Sequence, residues 1–353
     1  MKNCQFFFAF PCIDYFVKLG GERADGMERK SREIIGAQVC VLTFLIIFGA
    51  LRFYERTSSV AGENFIQWVD FKVSYEALEA AYTYDVESYG GENHLDWIEL
   101  LAYLAVEYGG EFSRYRDEDM AAAAKKIQAE GIEKLTKDMK YYDYYLEAYR
   151  AVLGGMVGEY EIETETREWK KLYGLKVFSP IAKGFYYTHY DDFGAARSYG
   201  YRRTHLGHDL TGQLGTPIIA IETGKVSALG WNQFGGWRIG IDSLDGKRYY
   251  YYAHLRQNRP YAMNLKEGDI VQAGDVIGYM GRTGYSTEEN VNNIKVCHLH
   301  LGMQLIFDES QREGNGEIWI DLYGLVRFLS KHSSEVIRDD ETKEWYRVYQ
   351  IRI

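Results

Sequence analysis

Thr204-His205-Leu206-Gly207-His208-Asp209 and, much later, Cys297-His298-Leu299-His300-Leu301 are the stretches on which the reading of this chain turns. With His254 between them, they hold five of the eight histidines in a sequence of 353 residues. In an extended strand alternate side chains share a face, so His205 and Asp209 would lie on one side of one strand, and His298 and His300 on one side of another. Any three of these donors would make a metal site. Two imidazoles and a carboxylate around one ion, with the fourth position left to water, form the donor set of catalytic zinc rather than of closed structural zinc. His208 points the other way and reads as a supporting or surface residue. Cys297 faces away from His298 and His300 and reads as a packed free thiol. His94, His189 and His332 have no partner at ligand spacing and read as ordinary.

Between the two motifs the chain is strand-rich. Residues 218–222, 225–231, 237–242 and 247–254 are short runs of β-branched and aromatic residues. Asp245-Gly246, between the last two, is a strong hairpin signal because both positions tolerate positive φ. A near-repeat follows, Gly268-Asp269-Ile270-Val271 and Gly274-Asp275-Val276-Ile277-Gly278. Strands joined by tight turns at this pitch predict an antiparallel sheet or flattened barrel. After Phe307, residues 319–329 predict a strand leading into a short closing helix.

His205-Leu206-Gly207-His208-Asp209, Gly215-Thr216-Pro217, Tyr252-Ala253-His254-Leu255, the glycines from Gly268 to Gly284 and His298-Leu299-His300, in that order, resemble the lysostaphin/LytM-type zinc metallopeptidases, which cut peptide bonds in bacterial peptidoglycan. The resemblance covers about residues 179–307. It implies zinc ligands His205, Asp209 and His300, leaving His254 and His298 as the catalytic imidazoles. It also implies a tyrosine near the developing oxyanion, at Tyr199 or else Tyr201. The chemistry is reasonable on its own terms: two imidazoles and a carboxylate leave the ion acidic enough to activate water near neutral pH, and neighbouring imidazoles can carry protons. Lipoyl and biotinyl carrier domains share such glycine turns, but they need a lysine at a hairpin tip, which Gly278-Tyr279-Met280-Gly281-Arg282 lacks.

Two departures bear on specificity. Residues 288–297 form an insert where relatives have a residue or two, and a long loop beside a site tends to shape or cover it. Cys297 and Leu301 replace the more usual proline and phenylalanine around His-Leu-His.

Ahead of the strands, residues 63–158 carry helical periodicity. Ser74 can cap a helix to about Glu87, and Asn93 with Asp96 resembles a capping box before residues 97–106. Gly109-Gly110 closes that helix. Runs from Asp117 to about Glu130 and Lys137 to about Leu153 complete a small bundle of three or four helices. Glu107, near the helix end, is faintly similar to the acid of lysozyme-like transglycosylases, although a solvated surface glutamate is the plainer reading. The bundle is expected to act as a spacer, a masking element or a docking site for a cell-wall or divisome-type partner. Residues 159–178, charged and containing Glu-Thr-Glu-Thr, are expected to be a linker, and residues 336–353 a tail.

The amino terminus completes the layout. From Ile34 to Leu51 the sequence is nearly all apolar, and eighteen helical residues reach about 27 Å, enough for a bilayer core. Lys18, Arg23, Arg29, Lys30 and Arg32 precede it, against Arg52 and Arg56 after it. The bias predicts a cytoplasmic tail at 1–33, a single-pass anchor at 34–54, and everything beyond outside the cell membrane. Ser59-Val60-Ala61 offers a cleaved signal as the competing reading. The formal charge of −10 argues against a nucleic-acid partner, since phosphate binding needs a basic face.

The expected fold class is therefore multi-domain α plus β: a membrane-anchoring helix, a small α-helical bundle, and an antiparallel β-sheet or flattened-barrel metallopeptidase domain at 179–335. The expected function is a membrane-anchored zinc metalloendopeptidase acting on peptidoglycan peptides. A non-catalytic scaffold or activator of another cell-wall hydrolase is the alternative, disfavoured by the full set of ligands and histidines.

Overall fold

The computed structural model describes residues 65–199, 201–312 and 316–353, the side chains of Tyr199 and Tyr201 excepted. The tail and anchor expected at 1–33 and 34–54 lie outside the described residues. Among those described, no helix is long and apolar enough to cross a membrane.

The first elements are helical: α1 (Tyr75–Ser88), α2 (Trp97–Tyr108), α3 (Asp117–Glu130), α4 (Ile132–Thr136) and α5 (Tyr142–Leu153). Ser74 caps α1, its hydroxyl accepting from the Ala77 N–H at 3.2 Å. Asp96, without Asn93, caps α2 by accepting from the N–H groups of Ile98 and Glu99. Gly109 ends α2 in the left-handed region, at φ 61°. Because α2 is apolar almost all round, it is the central helix, with Trp97, Ile98 and Leu100 through Ala105 buried. The helix expected from Lys137 starts only at Tyr142, after a turn. Glu107 is exposed, as a surface glutamate should be.

The segment read as a linker is a hairpin. Strand β1 (Val157–Glu163) pairs antiparallel with β2 (Trp169–Leu175), Tyr160 opposite Leu172. Its charges alternate with Tyr160 and Ile162, so the run is an amphipathic strand rather than a solvated connection.

The strands that follow are β3 (Tyr187–His189), β4 (Ala196–Tyr199), β5 (Tyr201–Thr204), β6 (His208–Gly212), β7 (Pro217–Ile219), β8 (Gly224–Asn232), β9 (Gly236–Ser243), β10 (Arg248–Ala253), β11 (Ile270–Val271), β12 (Val276–Tyr279), β13 (His298–Leu305) and β14 (Ile318–Trp319). One antiparallel sheet runs in the order β11-β8-β9-β10-β13-β6-β3, with β14 also beside β13. Strands β7 and β12 form a pair of their own, and β4 and β5 a hairpin. Helix α6 (Tyr323–Leu329) closes the sheet as expected. The predicted tail is structured: β15 (Val336–Arg338) pairs with β16 (Trp345–Arg347), and β17 (Ile351–Arg352) adds to β1. Ile351 is buried there, which an apolar residue in a charged tail had not advertised.

Period two gives the sheet its two faces. Leu299, Leu301, Met303 and Leu305 of β13, with Tyr250, Tyr252, Ile239 and Ile241, face inward. They join Leu78, Leu101, Tyr149 and the other buried helix residues in one continuous core. Each such side chain, fully buried, contributes about 1.5–3 kcal/mol. Residues 65–353 thus form one compact unit, helices and sheet sharing its interior. The other face of the sheet carries His298, His300 and Asp209.

Candidate active site

His300 stands directly across from Asp209 in the β13–β6 register and across from Ala253 in β13–β10. Strand parity read the shared face of His298 and His300 correctly, and also the opposite face of His208, which is fully buried with Nε2 2.9 Å from Asp321. His205 reaches the site differently. It lies in the turn between β5 and β6, not in a strand, and the chain bends back at Gly207. A Cβ at Gly207 would stand 2.6 Å from the Leu301 carbonyl oxygen and 2.8 Å from the His300 ring, so only glycine lets the turn lie this close.

The three expected ligands converge. His205 Nε2 is 3.1 Å from Asp209 Oδ1 and 3.0 Å from His300 Nδ1, and His300 Nδ1 is 3.1 Å from Asp209 Oδ1. Among the described residues this is the group of donors able to hold a metal ion. The circle through the three atoms has a radius of about 1.8 Å, shorter than the roughly 2.0–2.1 Å of a zinc bond, so one ion can touch all three from one side. Tautomers agree with that use. His205 donates its Nδ1–H to the Asp192 carbonyl at 3.0 Å, which leaves the Nε2 lone pair aimed into the triangle.

His254 and His298 stand beside it, their ring centres 4.8 Å apart, with His254 5.8 Å from the His300 ring. His254 donates Nδ1–H to the Thr283 carbonyl at 3.0 Å, and His298 donates Nδ1–H to the Val296 carbonyl at 2.9 Å. Both therefore keep an Nε2 lone pair; that of His298 is 3.6 Å from Asp209 Oδ1. His254, just after β10, has φ 62°, a left-handed backbone that a histidine adopts at some cost and that turns its ring toward the site.

Electrostatics follow from burial and crowding. Burial opposes ionisation of Asp209, but in the absence of an ion the protonated rings of His205 and His300, as hydrogen-bond donors, and the nearby His298 outweigh it and hold the carboxyl well below the usual range. Burial, reinforced by charge on His298 and His300, pushes His254 well below an ordinary histidine. Burial lowers His300 too, against the pull of Asp209.

Several contributors went unread in the sequence. Asp192 Oδ2 accepts from Arg197 Nη2 at 2.7 Å and stands 3.3 Å from His205 Nδ1. The same Arg197 nitrogen is 3.5 Å from Asp209 Oδ2, so it steadies the carboxylate oxygen turned away from the histidines. The Tyr285 ring centre lies 5.8 Å from that of His254, and its hydroxyl accepts from Arg203. The only sequence hint was the Asp191-Asp192 pair upstream of His205. Tyr199 and Tyr201 face each other in the β4–β5 register, and their side chains lie outside the described part. The insert before His298 is pinned by its side chains. Asn290 Oδ1 accepts from the Trp237 indole at 2.9 Å, Asn292 donates to Gln257 at 2.9 Å, and no residue of 288–297 lines the groove beside the metal triangle. That groove, about 950 Å³, includes His205 and His300 and is floored by Tyr249 and Tyr251.

The family model for peptidase family M23 matches residues 203–311, a span that holds His205, Asp209, His254, His298 and His300. The L-Ala–D-Glu endopeptidase of Bacillus subtilis (strain 168) is 40% identical over 117 residues, 33% of this chain and 34% of that protein. Lysostaphin of Staphylococcus simulans is 40% identical over 89 residues, 25% of this chain and 17% of that protein. The chain thus spans about a third or less of these relatives. Among solved structures, a protein of Ruminococcus gnavus ATCC 29149 provisionally named glycyl-glycine endopeptidase lytM has the same fold, with a TM-score of 0.51 and 24% identity. That likeness covers 76% of this chain and 91% of that one, too much for the strand-rich half alone, so it takes in helices as well. The part of this chain that these likenesses share, residues 203–311, is similar to peptidase family M23.

Proposed function

We propose that the protein is a zinc metalloendopeptidase that hydrolyses peptide bonds of bacterial peptidoglycan, held at the outer face of the cell membrane by the apolar segment at 34–54. The observation that carries this reading is the triangle of His205 Nε2, Asp209 Oδ1 and His300 Nδ1 with edges of 3.0–3.1 Å, flanked by two imidazoles whose Nε2 lone pairs are free of their backbone anchors. The relatives' names give the two bond types to consider, L-Ala–D-Glu and glycyl-glycine.

Zinc bound by His205, Asp209 and His300 supplies Lewis acidity, lowering the pKa of water and polarising a carbonyl. The residues do the rest. The Asp192 carbonyl fixes the His205 tautomer, and Arg197 orients Asp209 through its second oxygen. His254 and His298, anchored through Nδ1 to Thr283 and Val296, use Nε2 to take a proton from the attacking water and return it to the leaving amine. A carbonyl acceptor behind each ring means either histidine can become a cation without turning. The anchor reading rests on length and on the basic excess before the span, which places the catalytic unit outside, in a Gram-positive-like envelope.

The test uses the full-length protein. It should carry one zinc per chain and release new amino termini from purified walls of several chemical types, both lost on chelation and in His300→Ala. Zinc-loaded protein that leaves every wall type intact would overturn the reading.

A further inference from the structure

Three guanidinium groups, those of Arg203, Arg238 and Arg312, line the groove that takes in His205 and His300. The charge of Arg312 is committed, 2.8 Å from Asp242 and 2.8 Å from Glu309. The groove's remaining carboxylate, Glu317, accepts from the Trp319 indole at 2.7 Å. Arg203 is fixed between rings, 5.0 Å from the Tyr285 centroid and 5.9 Å from that of Phe234, and donates to the Tyr285 hydroxyl. Arg238 has no such commitment. Its Nε is shielded from solvent and has no hydrogen-bonding partner among the described residues, and it makes no ion pair there. A shielded donor of a charged group calls for an acceptor.

Arg238 is well placed to find one on a substrate. It lies on β9, on the face shared with Gly240, whose cross-strand partner Tyr251 packs its ring 5.9 Å from that of His300. Strands β9 and β13 are separated only by β10, so the offset from His300 is two strand spacings, roughly 10 Å. At about 3.4 Å per extended residue, with side-chain reach added, that is the distance from a scissile carbonyl to a carboxylate one or two residues away. A planar guanidinium matches a carboxylate with two parallel N–H donors. The surrounding chain carries a formal charge of −10, so an acidic ligand gains nothing from the general surface and depends on a local cation.

We propose that Arg238 recognises a free carboxylate on the substrate peptide, one or two residues from the bond cut, so that the site takes an acidic stem peptide in preference to a neutral glycine bridge. This rests on the metalloendopeptidase reading for its substrate and goes beyond it in naming which peptide.

The test is a binding cycle on the full-length protein, stripped of metal so that nothing is cleaved. The probes are L-Ala–γ-D-Glu–L-Lys–D-Ala as its terminal amide, the same peptide with the Glu α-carboxyl converted to carboxamide, and pentaglycine amide. Calorimetry should show the carboxylate peptide binding roughly 10- to 100-fold tighter than its carboxamide. Arg238→Met should erase that ratio without changing affinity for the carboxamide, and Arg238→Lys should retain part of it. Equal affinity for the two stem peptides, no measurable binding of the carboxylate form, or equal weakening of both by Arg238→Met overturns the assignment. The zinc-loaded protein separates the two proposals. If it cleaves the stem peptide and pentaglycine equally well, the metalloendopeptidase reading stands and the role of Arg238 falls. If it cleaves nothing, the enzymatic reading falls while the binding cycle still decides Arg238.

Discussion

Arg248 is almost wholly buried at the start of β10, and its five donors reach into both layers of the molecule. Nε and Nη2 bind the two oxygens of Glu222 at 2.9 Å each, Nη2 also meets Asp245 at 3.0 Å, and Nη1 donates to the Ala151 carbonyl in α5 at 2.8 Å. Burial works against the guanidinium charge, but Glu222, Tyr250 and Asp245 more than compensate and keep it protonated. Replacing Arg248 by Met leaves Glu222, itself only 14% exposed, with the Tyr250 hydroxyl as its remaining close partner, and leaves the Ala151 carbonyl in α5 without its donor. Removing one partner of a buried pair costs about 3–5 kcal/mol, because the other charge stays buried. For a unit of this size that is a fall in Tm of roughly 6–15 °C.

The assay is urea unfolding of the full-length protein followed by far-ultraviolet circular dichroism and by tryptophan fluorescence. Both signals should be lost together in Arg248→Met, since helices and sheet share one core. Adding Glu222→Leu should recover at least about 2 kcal/mol by removing the orphaned charge. A loss below about 1 kcal/mol for the single variant would refute the claim that this ion pair joins the layers. So would helical signal persisting after the sheet has melted.

Gly207→Ala should cost about 1–3 kcal/mol and weaken zinc affinity roughly 10- to 100-fold, as measured by competition with a chelating dye, because the new methyl collides with the His300 ring. His189 presents both ring nitrogens to the interior without hydrogen-bonding partners among the described residues, and burial pushes its pKa down to about 4. Below about pH 6.5 the unfolded chain binds a proton that the folded chain refuses, so stability should fall as pH drops from about 6.5 toward 4 and be fully present above 6.5. His189→Phe should flatten that dependence by close to one proton, read as the change in urea midpoint between pH 7 and pH 5; an unchanged slope would count against it. Burial raises the Cys297 thiol to about 11, so at pH 8 roughly one molecule in a thousand carries the thiolate. Peptide-level mass spectrometry should find this cysteine resistant to iodoacetamide until urea is added.

Legibility of the fold tracked how local its causes were. Helix α3 was expected from Asp117 to Glu130 and lies there, since its start and stop are written in adjacent residues. The hairpin at Asp245-Gly246 formed for the same reason, Gly246 taking φ 70°. The charged run at 159–173 misled because charge says which side of an element is wet, not whether there is an element. Strand β1 is held by β2 and by β17, and the second of these comes from the far end of the chain.

The candidate site divides along a different line. Donor identity was readable, because an imidazole or carboxylate at a given spacing is a property of side chains. Donor direction was not. Which nitrogen of His205, His254 and His298 carries the lone pair is set by the carbonyls of Asp192, Thr283 and Val296. Any residue can supply a carbonyl, so those positions leave no trace in residue type. Parity could place His300 with His298, and only the resemblance set it with Asp209; parity also assigned His205 to the right face for the wrong reason, since the return at Gly207 replaces the strand that parity assumed. The consequence is chemical. Side-chain substitutions at positions 283 and 296 that keep the backbone in place should leave the histidine tautomers intact, whereas a one-residue deletion in the 288–297 insert, upstream of Val296, would displace the Val296 carbonyl and turn His298 without altering a single histidine.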